Sequence, residues 1–259
     1  MDNTRNAHLT FAFNKVPEVT LAFWVIKIMS TTVGETGADY LAVHAGLGTV
    51  ITDAITTTLL IAALTLQLKS RRYVPWIYWL TVVLVSVVGT QITDALTDGA
   101  GVSLYASTAC FSVLLAAIFW LWYRREHTLS IRAIDTRRRE LFYWAAILCT
   151  FALGTAAGDL ATEALGLGFT IGVIAFGALI AVTAIAAKLG VNHVTAFWVA
   201  YVLTRPLGAS LGDLLSQPRV YGGVGFGTVL TSALFLTIII ALVAYLSVAP
   251  SRTESSRTA

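Results

Sequence analysis

Charged residues are scarce in this chain of 259 residues. They make up 12% of the sequence, whereas a soluble globular domain carries about 25%. Hydrophobic residues make up 57%, and the mean hydropathy is +0.77. The composition therefore predicts an integral membrane protein rather than one or two soluble domains.

The chain also lacks the motifs of several enzyme classes. Its two cysteines, Cys110 and Cys149, lie in apolar segments and predict neither a disulfide framework nor a cysteine-based zinc site. There is no Walker A lysine motif, no supported arrangement of nucleophile, histidine and acid, and no histidine pair that suits haem ligation. The amino terminus has no apolar stretch with a small-residue cleavage site, as a signal peptide would. We expect neither an enzyme nor a bound cofactor.

Long apolar runs are what the sequence does contain. A helix needs about 20 apolar residues to cross the hydrocarbon of a bilayer. Eight segments qualify, and glycine or aspartate interrupts several of them near one end. The expected spans are 17–41, 46–68, 75–96, 101–123, 141–163, 166–187, 193–215 and 225–248.

Basic residues lie on one side of this predicted topology. Of 17 lysines and arginines, 14 fall in the two tails and in alternate loops, Arg219 lies on the other side, and Lys27 and Arg205 lie inside spans. Lys and Arg mark the cytoplasmic side of a membrane protein. We therefore expect a multi-pass protein of the bacterial inner membrane with both termini in the cytoplasm. The net charge of +3 is then explained by the basic residues that fix the orientation in the membrane, and it does not indicate a nucleic-acid partner.

The most basic loop covers residues 124–140. Its simplest interpretation is a solvated linker that fixes the topology, and the alternative is a patch that binds lipid headgroups. We expect residues 1–16 to form a cytoplasmic segment and residues 249–259 to form a disordered cytoplasmic tail.

An internal repeat organises the spans. Each odd-numbered span carries a tryptophan in its cytoplasmic half, with a glycine ten residues later and an aspartate fifteen residues later. These residues are Trp24, Gly34 and Asp39; Trp79, Gly89 and Asp94; Trp144, Gly154 and Asp159; and Trp198, Gly208 and Asp213. A Gly-apolar-Gly sequence then opens each even-numbered span. The recurring spacing indicates four copies of one two-helix hairpin, as repeats 17–68, 75–123, 141–187 and 193–248.

The repeat resembles a known family, the bacterial membrane proteins built from four tandem repeats of unknown function, each with a tryptophan. The segments Lys15–Thr20 (KVPEVT) and Thr31–Leu41 (TTVGETGADYL) are what the first repeat of that family is expected to contain. The resemblance covers roughly residues 15–248 and implies an all-α architecture with eight transmembrane helices. It implies no established activity and no functional residues.

The repeats predict a symmetric arrangement. Two spans per repeat return the chain to the same side, so all four copies run in the same direction. Parallel repeats are related by an axis along the membrane normal. If the copies pack around such an axis, equivalent residues lie at the same depth and the four aspartates form one layer.

Helix geometry collects polar residues on one face of each odd-numbered span. At about 100° per residue, the positions 7, 11 and 15 residues after each tryptophan share that face. They are Thr31, Glu35 and Asp39; Ser86, Thr90 and Asp94; Phe151, Thr155 and Asp159; and Arg205, Ala209 and Asp213. Ionisable groups at membrane depth are costly and mark function, so we expect this stripe to face the bundle interior or a water-filled cavity.

The stripe predicts a site for a hard cation. Carboxylate and hydroxyl oxygens suit ions such as Mg, Ca or Mn, and soft-metal ligands are absent from the stripe. Five carboxylates outnumber two basic residues, which leaves a net charge of −3 when all are ionised. The predicted metal ligands are Glu35, Asp39, Asp94, Asp159 and Asp213. The predicted supporting residues are Lys27, Thr31, Thr32, Thr90, Thr155 and Arg205.

The same residues also allow structural interpretations. The glycines can permit close helix packing, and the tryptophans are interpreted as interfacial anchors. The aspartates can instead cap the tight turns between spans. Arg205-Pro206 predicts a discontinuity in span seven, either as part of a site or as a structural kink.

These observations favour a secondary transporter or exporter of a small inorganic cation, with a hard divalent ion such as Mn or Mg preferred. Carboxylates in the stripe can exchange a proton for the ion. The alternatives are a cation channel with a ring of aspartates and a non-transporting membrane scaffold. The expected partners are membrane lipid and the transported cation.

Overall fold

The computed structural model describes residues 14–43 and 48–248, apart from the side chains of residues 39, 42 and 43. This part of the chain is all-α and contains no strand. Its long helices are α1 (Leu21–Val43), α2 (Thr49–Lys69), α3 (Pro75–Asp94), α4 (Leu104–Glu126), α5 (Arg137–Asp159), α6 (Gly168–Lys188), α7 (His193–Ser216) and α8 (Thr228–Val248). A π-helical turn follows α3 (Ala95–Gly99) and another follows α5 (Leu160–Ala164). Each expected span is therefore a helix, with ends within a few residues of the prediction.

Six of these helices are long and apolar enough to cross a membrane, namely α2 to α6 and α8. The other two, α1 and α7, are 23 and 24 residues long but carry charged residues in their middle turns. These are Lys27 and Glu35 in α1 and Arg205 in α7. Apolar helices of this length and number are the mark of a multi-pass membrane protein.

The four odd-numbered helices form a closed ring. Helix α1 packs against α3, α3 against α5, α5 against α7, and α7 against α1. The even-numbered helices lie outside this ring, and most of their surface is exposed. The same helix contact therefore repeats four times, once for each repeat.

The repeat glycines allow the ring helices to approach closely. Each glycine lies against the side chain seven positions after the tryptophan of the next repeat, and the fourth repeat closes onto the first. The pairs are Gly34 with Ser86, Gly89 with Phe151, Gly154 with Arg205, and Gly208 with Thr31. A Cβ atom at Gly89 would lie 2.6 Å from Phe151 Cβ, and a Cβ atom at each of the other three would overlap its neighbour more severely. The packing role predicted for the glycines is therefore confirmed.

The two helices of one repeat make few contacts with each other. Instead, each even-numbered helix packs against the odd-numbered helix of the following repeat: α2 on α3, α4 on α5, α6 on α7, and α8 on α1. Thr56 Oγ1 donates to Gln91 Oε1 at 2.7 Å between α2 and α3, and the hydroxyls of Thr36 and Ser232 lie 2.7 Å apart between α1 and α8. The sequence repeat is thus a hairpin of two consecutive helices. The helices that pack closely together are instead the second helix of one repeat and the first helix of the next.

Aromatic residues fill the ring at the end where the odd-numbered helices begin. Every repeat has an aromatic residue directly before its tryptophan, which gives Phe23–Trp24, Tyr78–Trp79, Tyr143–Trp144 and Phe197–Trp198; these eight residues are called the aromatic layer. Ring contacts join each repeat to the next and the fourth to the first. Trp79, Trp144 and Trp198 are at most 5% exposed. The interpretation of these three as interfacial anchors is therefore wrong, because they pack inside the bundle.

The same end carries the basic loops and is called the basic end. Residues 124–140 do not form a solvated linker there, because parts of the segment pack onto the helices. Ile134 is fully buried, and the carbonyl of Leu129 accepts a hydrogen bond from Trp198 Nε1 at 2.9 Å. Glu140, also fully buried, forms an ion pair with Lys15 at 2.6 Å. The expected tail 249–259 and most of the expected segment 1–16 lie outside the described residues.

Candidate functional site

Four layers of side chains lie along the axis of the helix ring, beyond the aromatic layer. Each layer contains the residues at one distance from the repeat tryptophans. Layer 1 is Lys27, Val82, Ile147 and Tyr201; layer 2 is Thr31, Ser86, Phe151 and Arg205; layer 3 is Glu35, Thr90, Thr155 and Ala209; and layer 4, as far as its side chains are described, is Asp94, Asp159 and Asp213. Side chains of layers 1 to 3 are at most 6% exposed, which confirms that the stripe faces the bundle interior. Layer 4 lies at the opposite end, called the acidic end.

The guanidinium group of Arg205 connects all four repeats. Its Nη2 atom lies 3.0 Å from Glu35 Oε2 of the first repeat. The same nitrogen donates to Thr155 Oγ1 of the third repeat at 2.7 Å and to Thr90 Oγ1 of the second. Nη1 donates to the carbonyl oxygen of Thr31 at 3.1 Å. One side chain of the fourth repeat therefore bonds to the other three, and it neutralises the deepest acid of the stripe.

The neighbouring sequence explains how an arginine fits at this position. Gly154 leaves the space that the aliphatic part of Arg205 occupies, since a Cβ atom there would overlap it. Pro206 follows directly and lies against Gly158. Helix α7 nevertheless runs from His193 to Ser216, so the helix does not break at Pro206, and the predicted kink stays a prediction. The proline removes one backbone donor without ending the helix.

Lys27 is buried near the same centre without a counter-ion in contact. Its Nζ atom has no hydrogen-bond partner among the described residues. It lies 4.1 Å from the centroid of the Phe151 ring and 4.4 Å from that of Tyr201. Arg205 Cζ lies 5.5 Å from the centroid of the same Phe151 ring, so both basic side chains make a cation–π contact with Phe151. A buried ammonium held only by aromatic rings is costly, and costly charges inside membrane bundles commonly serve function.

Layer 4 gathers carboxylates from separate repeats. Asp94 and Asp159 are the last residues of α3 and α5, and Asp213 lies in the last turn of α7. Asp159 lies within electrostatic range of Asp94, Asp213 and Glu35. Carboxylates from three adjacent ring helices give this end of the bundle a negative charge, so the arrangement attracts positive partners. The side chain of Asp39, the fourth predicted member, lies outside the described residues.

Solvent exposure increases along the axis towards the acidic end. Arg205 is fully buried, Glu35 is 6% exposed and Asp213 is 8% exposed. Asp94 and Asp159 are half-buried, and Glu163 on the turn after α5 is exposed. The carboxylates are therefore reached from the acidic end, while the aromatic layer covers the opposite end of the axis.

The described carboxylates do not form a ready-made metal site. Within residues 14–43 and 48–248, no group of three or more His, Cys, Asp or Glu side chains has the spacing to hold a metal ion. Asp94 and Asp159 each precede a π-helical turn, but neither side chain caps that turn. The arrangement is a diffuse negative ring rather than a set of closely spaced ligands.

The predicted supporting hydroxyl groups have two different roles. Thr90 and Thr155 accept hydrogen bonds from Arg205 at the centre of the ring. Thr31 and Thr32 instead donate to carbonyl oxygens of α7, at 3.3 Å and 3.1 Å, and hold α1 against that helix. The structure therefore brings Glu35, Thr90, Thr155 and Arg205 together and leaves the hydroxyl of Thr32 outside the cluster.

Sequence reasoning missed the aromatic side chains that contact Lys27. Phe151 occupies the stripe at the position where two other repeats have Thr31 and Ser86, but the sequence analysis assigns it no role there. Tyr201 lies three residues after Trp198, at the same distance as Lys27 from Trp24. Extending the stripe to the position three residues after each tryptophan would have placed Lys27 and Tyr201 in one layer.

The four repeats also decide the family. The family described as Repeat of Unknown Function (DUF347) matches residues 22–73, 77–128, 142–189 and 196–251. The chain belongs to this family. Each match begins two residues before the repeat tryptophan, so the DUF347 repeats confirm the predicted four-repeat organisation. No curated protein and no solved structure matches the chain.

Proposed function

We propose that this protein is a secondary transporter of a small inorganic cation, with hard divalent ions such as Mn²⁺ or Mg²⁺ favoured. The observation that carries the proposal is the position of Glu35, Asp94, Asp159 and Asp213, one from each repeat, on the four helices that form the ring. Four carboxylates outnumber the two bases beside them, and a surplus of negative charge in a low-dielectric interior attracts cations and excludes anions.

The proposed topology places all eight helices across the bacterial inner membrane, with the ring axis along the membrane normal. The concentration of lysine and arginine at the basic end supports a cytoplasmic location for that end and for both termini. Helices α1 and α7 are included because they complete the ring and their charged residues are buried inside it. Their charge is thereby kept away from lipid.

The filled axis supports a carrier rather than a channel. A channel needs a continuous water-filled path, with rings of charge at its mouth. Here the aromatic layer and Lys27 occupy the axis between the carboxylates and the basic end. A carrier opens its site to one side at a time, and the exposure of Asp94 and Asp159 corresponds to access from the acidic side.

Competition for Glu35 provides a simple binding step. In the described conformation Arg205 is the counter-ion of Glu35. A cation attracted by layer 4 can bind to Glu35 only as the ion pair between Glu35 and Arg205 weakens. The same guanidinium group also donates hydrogen bonds to Thr90 and Thr155. Cation binding is thereby linked to the packing of all four repeats. A proton on the carboxylates can replace the cation in the return step.

The proposal is tested by transport in proteoliposomes that contain the full chain. We expect uptake of Mn²⁺ or Mg²⁺ that depends on a pH gradient. We expect Asp159→Asn and Glu35→Gln to lower it at least tenfold. Glu18→Gln, which removes an exposed carboxylate three residues before α1 begins, is the matched control and should transport normally.

Other outcomes identify the alternatives. Single-channel cation currents that do not depend on the pH gradient would contradict a carrier and favour a channel. Equal cation flux in liposomes with the wild type, with the double variant Glu35→Gln/Asp159→Asn, and without protein would contradict transport and favour a scaffold.

A further inference from the structure

A cavity of about 680 Å³ lies at the basic end, on the side of the bundle away from the carboxylate layers. It is bounded by the last turns of α6, the first turns of α7, the residues just before and after the start of α1, and the segment 129–132. Its size is within the range of about 300–1,000 Å³ that is typical of ligand sites. Trp24 and Phe197 of the aromatic layer contribute to it, whereas none of the carboxylates proposed to bind the cation does.

The walls of the cavity are apolar. Ile180, Ala184 and Ala187 of α6 face Phe197 and Ala200 of α7 across it. Helix α6 is the least buried of the six apolar helices, so the surface that it offers to the bilayer continues into the cavity. An apolar cleft open to a bilayer is occupied by acyl chains, because water there would leave the walls unfavourably hydrated.

The mouth of the cavity is basic and carries no acid. Arg132 and His193 line it together with the hydroxyl-bearing Ser130 and Thr183, and no aspartate or glutamate is among its lining residues. The exposed Arg132 side chain forms no ion pair with a described carboxylate, whereas Arg139 in the same segment is held by Glu126 and Asp135. A guanidinium group without a counter-ion, at the depth of headgroups on the basic side of a membrane protein, suits a phosphate.

We propose that this cavity binds one anionic phospholipid. The phosphate contacts Arg132 and His193, and an acyl chain lies along the groove between α6 and α7. This gives the segment 124–140 a specific role: it supplies the headgroup contact through Arg132, while Glu140 and Leu129 fix the segment to the bundle. The lipid would hold α6, α7 and the start of α1 together at the basic end, and its site contains none of the carboxylates proposed to bind the cation.

Native mass spectrometry of the full chain in detergent tests the site with phosphatidylglycerol as probe. We expect one saturable binding event, preferred over phosphatidylcholine at least fivefold. Arg132→Gln should weaken it about fivefold, and Arg71→Gln, an exposed arginine at the same end outside the cavity, should not. Ala187→Phe fills the groove and should also weaken binding. Ala181→Phe, on the exposed face of α6, is its matched control.

Soluble glycerol phosphate separates a lipid site from a phosphate site. We expect it to compete with phosphatidylglycerol only at concentrations at least a hundredfold higher, because it lacks the acyl chain. Competition at equal concentration would overturn the proposal, as would equal binding of phosphatidylcholine. Unchanged phosphatidylglycerol binding in Arg132→Gln and Ala187→Phe would overturn it as well. Arg132 is exposed and Ala187 is a half-buried residue of the cavity wall, so neither substitution disturbs the packed ring of helices.

Discussion

Arg205 and Glu35 form an ion pair at 3.0 Å across the centre of the bundle, although 170 positions separate them in the chain. One belongs to the fourth repeat and the other to the first. The pair therefore spans the junction at which the ring closes, and Thr90 and Thr155 bring the two remaining repeats into the same contact. A buried pair of this kind is strongly destabilised when one partner is removed alone.

Removing the guanidinium group of Arg205 should therefore show how much the ion pair with Glu35 contributes to stability. Arg205→Met leaves Glu35 without a counter-ion and should lower the free energy of unfolding by about 3–5 kcal/mol. The double variant Arg205→Met/Glu35→Gln should recover much of this loss, because no charge is left unpaired. Unfolding in mixed micelles measures both. Arg219→Gln, at an exposed position of the acidic end, is the control and should change stability by less than about 0.5 kcal/mol.

Ring closure depends on Gly208. A Cβ atom there would overlap the side chain of Thr31, so Gly208→Ala should lower the thermal unfolding temperature clearly. Gly177→Ala is a close control, because nothing lies within 4 Å of a Cβ atom at that helical position of α6. The control should be neutral or should stabilise by about 0.5–1 kcal/mol, as expected for Gly→Ala in a helix. Equal effects of both variants would show that the ring does not close through this contact.

The basic end has its own ion pair, between Lys15 and the buried Glu140. Lys15→Met should cost about 2–3 kcal/mol, because Glu140 then retains only the hydrogen bond from Gln67. Arg138→Gln offers a contrast, since its contact with Glu126 is 3.6 Å long and its side chain is 70% exposed. That variant should cost less than about 1 kcal/mol. A loss as large as that of Lys15→Met would contradict the difference in burial.

We expect the buried ammonium group of Lys27 to lower the stability of the protein and to be needed for cation transport. Lys27→Met removes an ammonium group that no described carboxylate contacts, and it puts an apolar thioether next to the rings of Phe151 and Tyr201. It should leave stability unchanged or raise it, and it should reduce cation transport in proteoliposomes. A variant that unfolds more easily and transports normally would assign Lys27 a structural role instead.

The spacing Trp-x9-Gly-x4-Asp made much of this fold predictable. It placed the helices, the four repeats, the packing glycines and the buried stripe, because each of these follows from helical periodicity and repetition. The ion pair of Arg205 with Glu35 could not be predicted as a contact, since it depends on how far a long side chain reaches across the ring. Sequence reasoning proposed both residues as candidates but left their partners open.

Other features depend on contacts that no local pattern encodes. Three of the repeat tryptophans are buried because aromatic neighbours from adjacent repeats surround them, whereas their position in the cytoplasmic half of each span suggested the membrane interface. The packing of each even-numbered helix on the next repeat follows from the shape of the ring, not from the hairpin sequence. Glu140 was assigned to a solvated loop because its partner Lys15 lies 125 positions away.

Direct binding of Mn²⁺ to the purified protein, followed by the electron paramagnetic resonance signal of free Mn²⁺, tests the central claim most directly. We predict saturable binding that Mg²⁺ displaces and that Asp159→Asn and Asp213→Asn each weaken at least tenfold. Asp135→Asn, which removes a carboxylate at the basic end, should bind Mn²⁺ as the wild type does. Equal Mn²⁺ binding by all four proteins, or none by the wild type, would contradict a cation site at the acidic end of the ring.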